Sequence, residues 1–268
     1  MMAETTMLSK VRTALSVVSA RTAGLVESLP DTAVPIPGSA WTVREAAVHL
    51  AMVGFRYAGM AYGEPNQYPS LAPEECARRN DQLNADIPEF DPGKLAALMH
   101  EGTECLLAAT ARCDDTRTVL FHCGNVMTIP HLVGTALAEH LVHGYDMAVA
   151  VGRPWPIDPH HAALGLFGYG PSYAVCLNPA TARAHTAGYA IELTTGERFT
   201  IRFVDGEGRL EPPDSGPVDC TITADPVVFL LVGSGRVSQW AAIAFGLVKA
   251  GGHRPELALG LNDLFLFP

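Results

Sequence analysis

Residues 128–150, TIPHLVGTALAEHLVHGYDMAVA, bring ionisable groups into what is otherwise an apolar pattern. Steps of three and four select Ile129, Leu132, Ala136, Glu139, His143, Asp146 and Ala150, which share one face of an α-helix. That face is apolar at both ends and carries two carboxylates and an imidazole in its middle. Unpaired ionisable groups are costly to bury, so a shared partner is expected, and a metal ion is the simplest candidate. Glu139 and His143, four residues apart, are offset by about 40° and can reach one ion. A third donor should come from a neighbouring helix, and His49, beside Ala46, Leu50 and Val53, is the natural choice. Two imidazoles and one carboxylate with open positions form a catalytic donor set, unlike the closed, Cys-rich set of a structural zinc site.

Blander readings stand beside this one. A Glu-x-x-x-His pair recurs by chance on helix surfaces, and a single histidine such as His49 is commonly a satisfied core residue. His140 points off the polar face and is the alternative to His143. Asp146, one turn beyond, suits an acceptor that orients an imidazole N–H. Arg56 follows His49 by seven residues on the same face; it suits a carboxylate of substrate or cofactor, and equally a solvated cation. His100, His122 and the pair His160–His161 lie in polar or loop contexts and are expected at the surface. No GxSxG, phosphate-binding loop or dinucleotide fingerprint occurs.

The elements that must position these groups are helical in the first half. Leu8, Val11, Leu15, Val18, Thr22, Leu25 and Leu29 form an apolar stripe of about six turns. PDTAVPIPGSA interrupts it. A second helix starts at Thr42, whose spacing to Glu45 is that of a capping box, with Trp41 placed as a hydrophobic staple. A short helix is expected around 73–86. Leu95, Leu98, Gly102, Cys105 and Ala109 mark a third long helix, and the stretch from Thr128 the fourth. Four such helices read as an up-and-down bundle over residues 5–150, without strands. VGRPWPIDPHH reads as a linker and 160–178 as a bridging helix. From Gly188 the period becomes two, with a hairpin around TGE, a third short strand and another at VDCTITA. Asp225 and Pro226 open a helix. The expected fold class is α+β: residues 1–152 a four-helix bundle, 153–185 a linker and bridging helix, 186–268 a small α+β domain.

Composition narrows the function. A net charge of −10 with no basic run argues against nucleic acid. The longest apolar stretch, VVFLLVG, is too short to span a bilayer, and the N-terminus lacks a signal-peptide pattern. Six cysteines without regular spacing read as reduced thiols of a cytoplasmic protein, with Cys105 and Cys220 in the core. Lysine occurs only at 10, 94 and 249, a bias towards arginine that suits a GC-rich genome.

WTVREAAVHL followed by AEHLVHGYDMA resembles the DinB-like metal-binding domain of the mycothiol-dependent maleylpyruvate isomerase family, and DPVVFLLVGSGR with AIAFGLVKAGG resembles the sterol-carrier-type domain that closes many members. The resemblance implies a divalent metal, usually zinc, on His49, Glu139 and His143. It also implies mycothiol, an actinobacterial sugar thiol, as cofactor. A metal-activated thiolate would then add to a small electrophile, giving isomerisation or an S-conjugate. Two alternatives remain open at this point: a hydrolase whose metal activates water, and a carrier of apolar ligands. Arg236, Lys249 and Arg254 are possible anion contacts in the tail, with structural or solvated roles favoured for each.

Overall fold

The structure, a computed structural model, describes residues 6–66, 72–87 and 91–266. Helix α1 (Met7–Glu27) is capped by Thr6, whose side chain accepts from Ser9 N, and turns Leu8, Val11, Leu15 and Val18 inward. Helix α2 (Val43–Tyr62) begins with the complete Thr42–Glu45 capping box and stops at Gly63, whose φ of 87° suits glycine. Helix α3 (Pro73–Ala85) follows, then α4 (Pro92–Thr110), which Asp91 caps. Helix α5 (Ile129–Ala150) carries the polar seam; Thr128 is its N-cap, but its hydroxyl pairs with His131 Nδ1 at 2.7 Å rather than capping the backbone.

Two expectations about this half need correcting. Strands β1 (Thr118–Leu120) and β2 (Val126–Thr128) form an antiparallel pair ahead of α5, so the region is not purely helical. The bundle is also not up-and-down. Helices α1 and α2 each pack against α4 and α5 and barely touch one another. Arg12 near the start of α1 bonds the Leu107 carbonyl near the end of α4, so these two run antiparallel. Arg44 and Arg117 tie the matching ends of α2 and α4 together, so those two run parallel. Arg153 meets Ser28 where α1 and α5 both finish. The order is therefore up, down, down, up. The physical reason lies in the connections: residues 63–91 are long enough to return along the bundle, which lets α2 and α4 run parallel, and 28–42 and 111–128 are long enough to cross its ends, so sequence neighbours need not be spatial neighbours. Glycines close one seam: a Cβ on Gly54 of α2 would lie 2.3 Å from the Gly102 carbonyl carbon of α4.

Beyond the bundle come α6 (Pro159–Tyr169), α7 (Pro179–Ala182), β3 (Ala187–Leu193), β4 (Arg198–Val204), β5 (Glu207–Glu211), β6 (Cys220–Ala224), α8 (Pro226–Gly233), α9 (Gln239–Ala244) and β7 (Val248–Gly252). Among the described residues the sheet order is β5-β4-β3-β6-β7, antiparallel throughout except for the parallel pair β3–β6. The hairpin around 195–197 and the Asp225 cap of α8 agree with the sequence reading. Tyr189 and Phe203 are fully buried beneath this sheet. Helix α6 packs on α5 and on α8, which joins the two halves. Its Gly168 approaches Gly134 so closely that a Cβ would fall 2.1 Å from the Gly134 carbonyl carbon. The α+β class is as expected. Among the described residues, no helix is long and apolar enough to cross a membrane.

Candidate metal centre and its cavity

Helix α2 presents His49 and α5 presents Glu139 and His143 to the same point. One donor atom from each lies within 4.8 Å of the others, so the group could hold a metal ion. His49 Nε2 is 3.2 Å and His143 Nε2 3.4 Å from the same Glu139 oxygen, Oε2. Bonds of about 2.1 Å at tetrahedral angles place donors about 3.4 Å apart, so each imidazole already stands near that spacing from the Glu139 oxygen. The other polar atoms have partners of their own. His143 Nδ1 meets Asp146 Oδ2 at 3.1 Å, and the Tyr169 hydroxyl donates to Glu139 Oε1 at 3.1 Å. Arg236 holds Asp146 with two contacts, Nη2 at 2.8 Å and Nε at 3.1 Å. His49 differs, since its Nδ1 is buried with no hydrogen-bond partner among the described residues. Its ring is instead fixed by packing, 5.0 Å from the Trp41 ring, which also lies 5.6 Å from His143.

The electrostatics follow from these contacts. Burial opposes charge on His143, but hydrogen bonds to Asp146 and Glu139 raise its pKa to about 9. Burial would raise Glu139, yet the two imidazoles hold it well below the usual carboxylate range. His49 is pushed down, chiefly by burial. Burial drives the Tyr169 hydroxyl well above 10, so it stays a donor. A cluster that concentrates proton-binding groups around one point in this way is the environment a divalent cation would replace.

The group lies on the wall of a cavity of about 670 Å³ closed by both halves of the chain; Trp41, Arg56, Tyr57, Tyr169, Phe229 and Arg236 are among its lining residues. Of the candidates read from sequence, His49, Glu139, His143 and Asp146 come together. Arg56 lines the same cavity and donates to Asn80 Oδ1 at 3.0 Å. His140 does not join them; it faces α1, where its Nδ1 pairs with Thr22 Oγ1 at 2.8 Å. His100 and His160 are exposed, as are Lys249 and Arg254. His122 corrects its expectation: it lines the cavity, and burial lowers its pKa to about 4. Its loop sequence hides this because the β1–β2 pair folds it inward. Arg236 is structural in a specific sense, as the partner of Asp146. Tyr169 had no signal in the sequence, whereas Trp41 stood next to the capping box and was assigned only a packing role.

Residues 11–148 match the family described as the mycothiol maleylpyruvate isomerase N-terminal domain. The chain belongs to this family. Residues 177–265 match the SCP-2 sterol transfer family. A search of curated proteins by sequence found no match. Among solved structures, a histidine-to-alanine mutant of the mycothiol-dependent maleylpyruvate isomerase is 14% identical over 91% of this chain and 92% of that one, with a TM-score of 0.55. The same enzyme without that substitution is 15% identical over the same shares, with a TM-score of 0.52. At these identities the likeness establishes a shared fold.

Proposed function

We propose that the protein is a metal-dependent enzyme in which His49, Glu139 and His143 hold a divalent ion, zinc by donor type. In this reading a low-molecular-weight thiol, mycothiol by family, enters the cavity and attacks a small electrophile, in S-transfer or isomerisation. The observation that carries it is the convergence of three donors within 4.8 Å of one another on the wall of a cavity large enough for a thiol and a small substrate. Bound there, the metal would supply the positive charge that lets a thiol lose its proton near neutral pH.

The chain's own residues prepare that chemistry. Asp146 fixes the His143 ring through Nδ1 and so leaves Nε2 directed at the site. Tyr169 occupies Glu139 Oε1 and leaves Oε2 facing the two imidazoles. Trp41 covers both rings and limits water on that side. Arg56, held by Asn80, offers a cation on the same wall for a carboxylate of the thiol or of the substrate. Cobalt substitution tests the reading. Mycothiol or a close analogue should give a sulfur-to-metal charge-transfer band in the near ultraviolet, and the His49→Ala variant should not. Absence of the band at saturating thiol, with cobalt shown to be bound, would replace this reading with hydrolysis by a metal-activated water.

A further inference from the structure

Away from the triad, three thiols converge on the cavity wall. Cys76 comes from α3, Cys123 from the turn between β1 and β2, and Cys176 from the segment after α6. The Cys76 and Cys123 sulfurs are 3.9 Å apart, and Cys176 is hydrogen-bonded to Cys123, which therefore sits between the other two. Cys123 and Cys176 line the cavity; Cys76 and Cys176 are buried, while Cys123 is half-exposed. The backbone at Cys123 has φ 58°, in the left-handed region that residues other than glycine seldom enter and that functional sites often retain. None of the three is in a disulfide. Burial and the neighbouring Cys123 push Cys76 up to about 12. Cys176 is pushed up by its bond to Cys123 and by burial. Both flanking groups thus keep their protons and can donate S–H to the central sulfur.

We propose that Cys123 is a thiol–disulfide exchange site served by the cavity, with a low-molecular-weight disulfide as its substrate and Cys76 as its resolving thiol. The proposal takes from the functional reading only that a small sulfur compound enters the cavity. Cys123 gives up its proton and attacks one sulfur of the disulfide RSSR. The S–S bond breaks, one RS⁻ leaves and takes up that proton as RSH, and a Cys123–S–S–R mixed disulfide remains. In the mixed disulfide Cys123 no longer bears a charge that would oppose ionisation of Cys76; Cys76 gives up its proton and attacks the Cys123 sulfur, and the second RS⁻ leaves and takes up that proton as RSH. A Cys76–Cys123 disulfide is formed: the protein pair has lost two electrons and RSSR has gained them. The sulfurs must close from 3.9 Å to about 2.05 Å. The new bond would tie α3 to the β1–β2 turn. Because α3 also holds Arg56 through Asn80 and Trp41 through Asp81, the cavity wall would register the oxidation.

The full chain, reduced and then treated with 2-hydroxyethyl disulfide, should lose two of its six thiols and give a Cys76–Cys123 cross-linked peptide pair in non-reducing mass mapping. The Cys76→Ser variant should stop at a mercaptoethanol adduct on Cys123, and Cys123→Ser should give neither product. The His49→Ala variant should cross-link as the parent does, and a parent chain that cross-links in this way yet binds no divalent metal would defeat the functional reading alone. An adduct on Cys105 or Cys113 with Cys123 untouched would overturn the proposal, as would a cross-link to Cys176 in place of Cys76.

Discussion

His140 and His143 stand three residues apart on α5, both inside the protein, and their surroundings drive them to opposite states. On the face towards α1, His140 Nδ1 meets the Thr22 hydroxyl, and burial takes its pKa down to about 3. On the face towards α2, His143 is buried as well, yet Asp146 and Glu139 flank it and raise it to about 9. One face keeps a neutral imidazole as a packing group, and the other gathers charge around a point. The helix pattern determines which residues share a face, but the neighbouring helix determines what chemistry that face can do. A buried histidine is therefore a functional candidate only when its partners are carboxylates that could share a cation.

The sharpest way to break this comparison is to remove each ring in turn. His143→Ala should abolish stoichiometric metal binding, measured by elemental analysis of the purified protein. His140→Ala should leave the metal in place and instead cost about 2–4 kcal/mol of stability through the lost packing and hydrogen bond. The reverse result would move the donor set to the other face of α5. A smaller effect is expected from Asp146→Asn, which keeps the shape and removes the charge that orients His143. Metal affinity should fall about 10- to 100-fold in a competition titration, and an unchanged affinity would reduce Asp146 to a purely structural partner of Arg236.

The pH dependence of the metal-free protein should show the two faces separately. His143 has a raised folded pKa, so its contribution is complete below its ordinary value of 6.5 and is lost as pH rises through about 9. His140 has a lowered folded pKa, so its contribution is present above 6.5 and declines as pH falls from there towards about 3. Urea midpoints of chelator-treated protein should therefore drop on both sides of neutrality. The alkaline loss should be shallower in Asp146→Asn, and the acid loss shallower in His140→Ala. An acid limb that His140→Ala leaves unaltered would contradict a buried neutral imidazole at that position.

Much of this was legible because it depends on local periodicity. The seam of α5, the Thr42–Glu45 box, the hairpin between β3 and β4 and the Asp225 cap are all set by residues a few positions apart. His49 was legible too, through its place beside buried Ala46, Leu50 and Val53. What escaped depends on contacts between distant segments. Strands of three residues give too few alternations to mark β1 and β2, and with them His122 was misplaced. The up-down-down-up order is set by which helices pack, and loop composition does not report it. Tyr169 reaches Glu139 only because Gly168 allows α6 to lie against α5.

The ion pair between Arg236 and Asp146 joins positions 90 residues apart. Asp146 belongs to the bundle and has only 9% of its side chain exposed, while its cation is supplied by the tail. A bundle recombined with a tail lacking that arginine would leave the Asp146 carboxylate buried with His143 as its remaining charged partner. A tail grafted onto this bundle must therefore offer a cation where Arg236 stands, even though each half has the outline of a separate module.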